Sequence, residues 1–189
     1  MTDIISVPAR RLRAPAHARA EAAGPGVRPA AAELITCVEL LFFAYRDFTG
    51  EADAVLAEFG LGRAHHRVLH FVNRNPGLKV QDLLAILKIT KQSLARVLKL
   101  LLDQGWIEQV AGDADRRQRL LHTTAKGAEL ADRLDCLQAK RIGKALAAAG
   151  PGSEAAMLRF LFAMIVPEER AFVEALLPRP IEAAQPPVG

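Results

Sequence analysis

Thr90 to Thr124 restricts the possible folds more than any other stretch of this chain. It opens with TKQSLARVLKLLLDQG, bounded by a residue suited to start a helix and one suited to end it. Thr90 can accept a backbone N–H bond as an N-cap, and Gly105 can take the left-handed conformation that stops a helix. At about 100° per residue, Leu94, Val97, Leu98 and Leu101 fall in one stripe. Gln92, Arg96 and Lys99 fall opposite, with Lys91 and Ser93 beside them in the first turn. The remainder, WIEQVAGDADRRQRLLHTT, predicts strand, tight turn, strand. Its turn carries Asp113, Asp115, Arg116 and Arg117, and Arg119 follows at the start of the second strand.

The preceding segment, KVQDLLAILKI, places Val80, Leu83, Leu84 and Leu87 on one side and reaches the next helix through Lys88 and Ile89. Two helices joined this tightly predict a helix-turn-helix, with the second as the recognition helix and the basic-tipped hairpin as a wing. A major groove about 12 Å wide admits one helix, and its base edges suit Arg, Lys, Gln and Ser. The hairpin tip is slender enough to follow a phosphate backbone or enter a narrow minor groove. The candidate DNA contacts are therefore Thr90, Lys91, Gln92, Ser93, Arg96, Lys99, Asp115, Arg116, Arg117 and Arg119. The competing readings are an amphipathic surface helix with a solvated turn, and a winged helix serving protein–protein or RNA contacts. The polar outer face of Gln92, Ser93 and Arg96 favours base edges, since a scaffold would tolerate apolar residues there.

The run LLAILKITKQSLARVLKLLLDQGWIE, then DADRR, then TTAKG, resembles the MarR family of bacterial transcription regulators. Ile89, Thr90, Arg96, Leu101, Gly105, Asp115, Arg117, Thr124 and Gly127 occupy positions of its pattern, and RAHHRVLHFVNRNPG resembles more narrowly the PetP-type members. The likeness extends over about Ala32 to Leu177. It departs at Ala95, where the family often has a small hydroxyl residue, and at Leu100, where it often has a basic one. The resemblance implies a two-fold dimer and a small anionic effector at the junction of dimer and reader lobes. On this chain the junction would involve Tyr45, His66 and His70. Cys37 corresponds in placement to the reactive cysteine of a peroxide-sensing branch, but only one Tyr is present, and a buried, inert thiol is the expectation. The fold class expected is mainly α with a small β-hairpin wing: a winged helix-turn-helix lobe plus a helical dimerisation region.

With 189 residues, one domain with tails is the natural size. Residues 1–30 alternate Pro, Gly, Ala and Arg without apolar period and predict a disordered basic arm, in which Arg10, Arg11 and Arg13 are placed to touch phosphates or simply to be solvated. The resemblance implies a MarR-like domain over residues 31–177, with 31–60 and 124–177 as dimerisation helices and 61–123 as the winged lobe. Within 31–60, AAELITCVELLFFAYRDFTG predicts one helix and EADAVLAEFGLG a shorter one that Gly60 stops. Asn75-Pro76-Gly77 predicts a turn, TTAKGAELADRLDCLQAKRIGKALAAAG a long helix, and Ser153 and Pro167 the starts of two more. Residues 178–189 predict a disordered tail.

Charge is unevenly distributed. Residues 61–127 carry 12 Lys/Arg against 5 Asp/Glu, whereas 31–60 carry 1 against 6. The positive excess therefore lies in the segment read as the DNA-facing lobe. Two cysteines make no disulfide framework and fit a reducing cytoplasm. No run of eighteen apolar residues predicts a membrane span. No HExxH, phosphate loop, CxxC or GxSxG motif suggests an enzyme, and no cofactor is called for. His66 and His70, four apart, offer two ligands and no third, so no metal is expected. Leu34, Leu41, Phe42, Phe160, Phe162 and Phe172 exceed what one small lobe buries, each forfeiting about 1.5–3 kcal/mol if left in water. A homodimer would cover them, on a pseudo-palindromic operator with half-sites about 34 Å apart.

Overall fold

A computed structural model describes residues 30–112 and 118–178. Asp113, Asp115, Arg116 and Arg117, residues 1–29 of the predicted arm and the tail from residue 179 lie outside the described residues. The elements in order are α1 (Ala31–Ala57), α2 (Arg63–Arg74), β1 (Leu78–Lys79), α3 (Val80–Leu87) and α4 (Lys91–Asp103). Then follow β2 (Ile107–Ala111), β3 (Arg119–Thr123), α5 (Ala125–Ala149), α6 (Ser153–Met164) and α7 (Pro167–Leu176). The class is as expected, mainly helical with an antiparallel hairpin.

The chain divides into a short unit ending at Leu41 and a large one from Phe42 onward. The described part of the first, residues 30–41, is helical apart from Ala30 and exposed throughout. The second contains the core. Val68, Leu69 and Val72 of α2 are fully buried with Leu83, Leu94, Leu101, Leu121 and Leu134. Each such side chain contributes about 1.5–3 kcal/mol relative to exposure. Leu94, Leu98 and Leu101 of the predicted stripe are buried, and Val97 is half-buried against the same core.

Side chains at the helix ends hold the lobe together. Thr90 Oγ1 accepts a bond from Ser93 N at 3.1 Å, the predicted N-cap. Such a cap contributes on the order of 1 kcal/mol. Gly105 at φ +68 ends α4, and Trp106 N donates to Leu101 O at 2.8 Å. Thr124 caps α5 by accepting from Gly127 N at 3.1 Å, while its own hydroxyl donates to Gly105 O at 2.7 Å. The start of α5 is thereby pressed onto Trp106: a Cβ on Gly127 would sit 1.8 Å from the Trp106 carbonyl oxygen.

Three local expectations need correction. The wing is one part of a three-stranded sheet, ordered β1-β3-β2, because Leu78 and Lys79 pair with Leu121 and Leu120. Residues 31–57 form a single helix; Gly50 does not end the first segment, since the burial of Thr49, Ala52, Val55 and Leu56 around it outweighs a glycine penalty of about 1 kcal/mol. Ser153 is the first residue of α6, not its cap: left-handed Gly152 holds the cap position, and the Ser153 hydroxyl donates to Leu146 O at 3.1 Å. Pro167 does begin α7, as its missing N–H allows.

Candidate nucleic-acid interface

The turn between α3 and α4 is tight because Lys88 takes a left-handed conformation (φ 52, ψ 41) as the C-cap of α3. Its ammonium is drawn to Glu169 of α7 at 3.0 Å. Two residues further, Thr90 caps the start of α4. The buried Leu94, Leu98 and Leu101 fix the roll of this helix, so Thr90, Lys91, Gln92, Ser93, Arg96 and Lys99 are all exposed. These six predicted contacts therefore share one helix and its exposed side.

Their chemistry is not equivalent. The Thr90 hydroxyl caps the helix and donates to Ser93 Oγ at 3.0 Å, so both hydroxyls serve first to order the helix start. Lys99 is held by Asp103 at 2.5 Å, which weakens it as a phosphate contact. Among the described residues Arg96, Lys91 and Gln92 have no such partner. A cleft of 690 Å³ undercuts one flank of α4, floored by Leu84, Leu94, Leu98 and Leu102. Ala95 is exposed on this helix, and Leu100 is packed against the core instead of offering a basic group.

On the wing, β2 and β3 pair from Ile107↔Thr123 to Ala111↔Arg119, and Gly112 N donates to Gln118 O at 3.0 Å beyond them. Arg119 is exposed at the neck of this hairpin. Sequence reasoning missed its neighbours Lys79, Gln81 and Gln118, which line a recess of 360 Å³ with Arg119 and Val80. The signal was absent because only the pairing of β1 with β3 brings residue 79 beside residue 119.

The residues proposed for an effector site are not gathered into one cavity among those described. His66 is buried, and desolvation, followed by the neighbouring His70, holds its pKa below the ordinary histidine value; Asp135 and Asp53 oppose this. His70 turns instead to Asp135, Nδ1 to Oδ1 at 2.8 Å. Tyr45 is exposed on α1, with the Arg63 guanidinium 5.7 Å from its ring centroid. Of the three, His70 alone reaches a described cleft, one of 430 Å³ shared with Phe71, Arg74, Ile86, Phe172 and Leu176. No group of three or more His, Cys, Asp or Glu that could hold a metal occurs among the described residues. Cys37, expected to be buried, is exposed, because every α1 residue from Ala31 to Asp47 is exposed. Among the described residues no helix is long and apolar enough to cross a membrane.

Residues 59–118 match the sequence pattern described as the MarR family. Over 139 residues the chain is 46% identical to the HTH-type transcriptional regulator PetP of Rhodobacter capsulatus, covering 74% of this chain and 84% of that protein. A mutant MarR from E. coli complexed with operator DNA is similar in structure at a TM-score of 0.54 and 21% identity, over 74% of this chain and 100% of the other. A MarR-family transcriptional regulator from Listeria monocytogenes complexed with 26mer DNA gives 0.59 at 20% identity, over 71% and 89%. At such identities the structural likeness speaks to the winged-helix fold alone.

Proposed function

The chain belongs to the MarR family and is a transcriptional regulator, and on that premise we propose that it binds duplex DNA sequence-specifically as a homodimer. One observation carries the reading: α4 is anchored by buried Leu94, Leu98 and Leu101 and turns Lys91, Gln92, Ser93 and Arg96 outward. A helix so oriented can enter a major groove with donors for base edges. Arg116 and Arg117 would extend the contact along the backbone from the wing, with Asp115 to aim Arg117.

The homodimer rests on a second observation. Large apolar side chains stand exposed on α1 (Leu34, Leu41, Phe42) and on α6 and α7 (Phe160, Met164, Phe172). Patches of this kind mark association surfaces. Residues 31–60 and 124–177 would thus supply the dimer contacts and 61–123 the reader, acting on a pseudo-palindrome. A small effector is the remaining part of the reading, supported by the 430 Å³ cleft at His70 and Arg74. A soluble cytoplasmic regulator without catalytic activity is the corresponding cellular role.

Selection of genomic fragments by the purified protein tests the whole reading. The expected outcome is enrichment of a two-fold-related sequence. Enrichment without common sequence, or stronger retention of double-stranded RNA at matched salt, would reject it.

A further inference from the structure

We propose that the recess at the base of the wing, lined by Lys79, Val80, Gln81, Gln118 and Arg119, seats a phosphate of the DNA backbone separately from the face of α4. The inference rests on the DNA-binding reading and adds a further anchoring point to it.

The recess follows from the register of the sheet. β1 has only two residues, and its last, Lys79, pairs with Leu120. One rung further, the position facing Arg119 would be Val80, which is already the first residue of α3. The ladder therefore stops, the chain turns into a helix, and 360 Å³ is left open where a third rung would have been. The floor of this space cannot slide, because Gly112 N donates to Gln118 O at 3.0 Å and β2 pairs with β3 up to Arg119.

The lining is chemically one-sided. It holds two cations and two neutral amides, and no carboxylate. Lys88 and Lys99 elsewhere in the lobe are bound to Glu169 and Asp103. Among the described residues, by contrast, neither Lys79 nor Arg119 is in an ion pair. Lys79 and Arg119 line the same recess, so an anion seated there would be attracted to both. Gln81 and Gln118 add uncharged donors, the combination that phosphate oxygens accept from. Gln81 also borders the cleft along α4, so the recess continues the flank of the recognition helix. A backbone strand leaving α4 along that flank arrives at the recess.

The test is a set of anisotropy titrations of the full-length protein on a random-sequence DNA duplex across several salt concentrations. The double variant Lys79→Gln, Arg119→Gln should flatten the plot of log affinity against log salt by about 0.9 for each phosphate no longer neutralised. The charge-keeping pair Lys79→Arg, Arg119→Lys should retain the wild-type slope, which excludes a folding defect as the cause. A double variant with the wild-type slope overturns the seat and leaves the DNA-binding reading standing. Loss confined to double-stranded RNA also overturns it. A wild-type protein that binds no DNA duplex at any salt overturns both.

Discussion

α4 and the pair α6–α7 are helices of similar length with opposite placement of their polar and apolar residues. α4 buries Leu94, Leu98 and Leu101 and exposes Gln92, Arg96 and Lys99. α6 and α7 bury nothing fully, although SEAAMLRFLFAM is richer in large apolar side chains than KQSLARVLKLLLD is in polar ones. Their corner is nevertheless ordered: Arg170 donates to Ile165 O at 3.0 Å and to Ala163 O at 2.9 Å. A helix that is fixed and still shows apolar groups to water is built for a surface that one chain does not supply. A helix that is fixed and shows polar groups is finished, and its outward face is free for a ligand. On the proposed reading, the difference separates assembly from recognition within one small protein.

The largest expected effect falls on the assembling region. Phe42, 70% exposed on α1, should become buried in the homodimer. Phe42→Asp would remove a packed aromatic, about 3–5 kcal/mol at a buried site, in both protomers at once. Sedimentation should show a dimer for the wild type and monomer or unfolded chain for the variant. A variant that stays a stable dimer would place the interface elsewhere and remove α1 from the assembling region.

Gly127→Ala is the counterpart inside the reader lobe. Its methyl would lie 1.8 Å from the backbone oxygen of Trp106, an atom that no rotamer change can move. Overpacking of this kind costs about 3 kcal/mol. Thermal melts should therefore shift down by many degrees. A melting temperature indistinguishable from wild type would show that the start of α5 is looser than its bonds to Gly105 and Trp106 imply.

What the sequence discloses follows the range of the forces involved. α4 was legible because its stripe, its Thr90 cap and its Gly105 stop all lie within sixteen residues. The Asn75-Pro76-Gly77 turn was legible for the same reason, with Gly77 at φ +85. β1 was not, since two residues carry no period and become a strand only by pairing with residues 120 and 121. Lys79, Gln81 and Gln118 were hidden with it. His66 and His70 looked equivalent four residues apart, but tertiary packing turned one inward and gave the other Asp135, 65 positions away. The exposed polar face of α4 was legible by pattern; the recess at the wing base required topology.

Arg96→Ala should have a moderate effect, and on recognition alone. Arg96 is exposed on α4, so folding should be unchanged. Removal of a bidentate base contact would weaken binding to a selected operator by about 1–3 kcal/mol, with much less change on random duplex. Equal weakening on both would make Arg96 a backbone anchor and move sequence reading to Gln92 and its neighbours.

The smallest expected effect concerns the seam where α2 faces α5. His66 is one of two polar residues buried in the described structure, and burial lowers its pKa below the ordinary 6.5. In the unfolded chain the imidazole takes up a proton near 6.5; in the folded chain it does so only at lower pH. Between those two values the unfolded state binds more protons, so stability falls as pH drops below about 6.5. Above that value both states are neutral and the contribution is constant. Asp135 and Asp53 draw the folded value back up, which limits the size of the effect. The other imidazoles of α2 are His70, bound to Asp135, and His65, whose Nδ1 accepts from Gly62 N at 3.0 Å. His65 is also lowered by burial, so its slope has the same sign. The measurement is therefore a difference: melting temperature against pH for wild type and for His66→Gln, which keeps a polar group and removes the proton site. The wild type should drop a few degrees more than the variant on going from about pH 7.5 to about 5.5. Parallel curves would mean that His66 takes up its proton within the fold as readily as outside it, and the acid sensitivity of the lobe would then belong to His65.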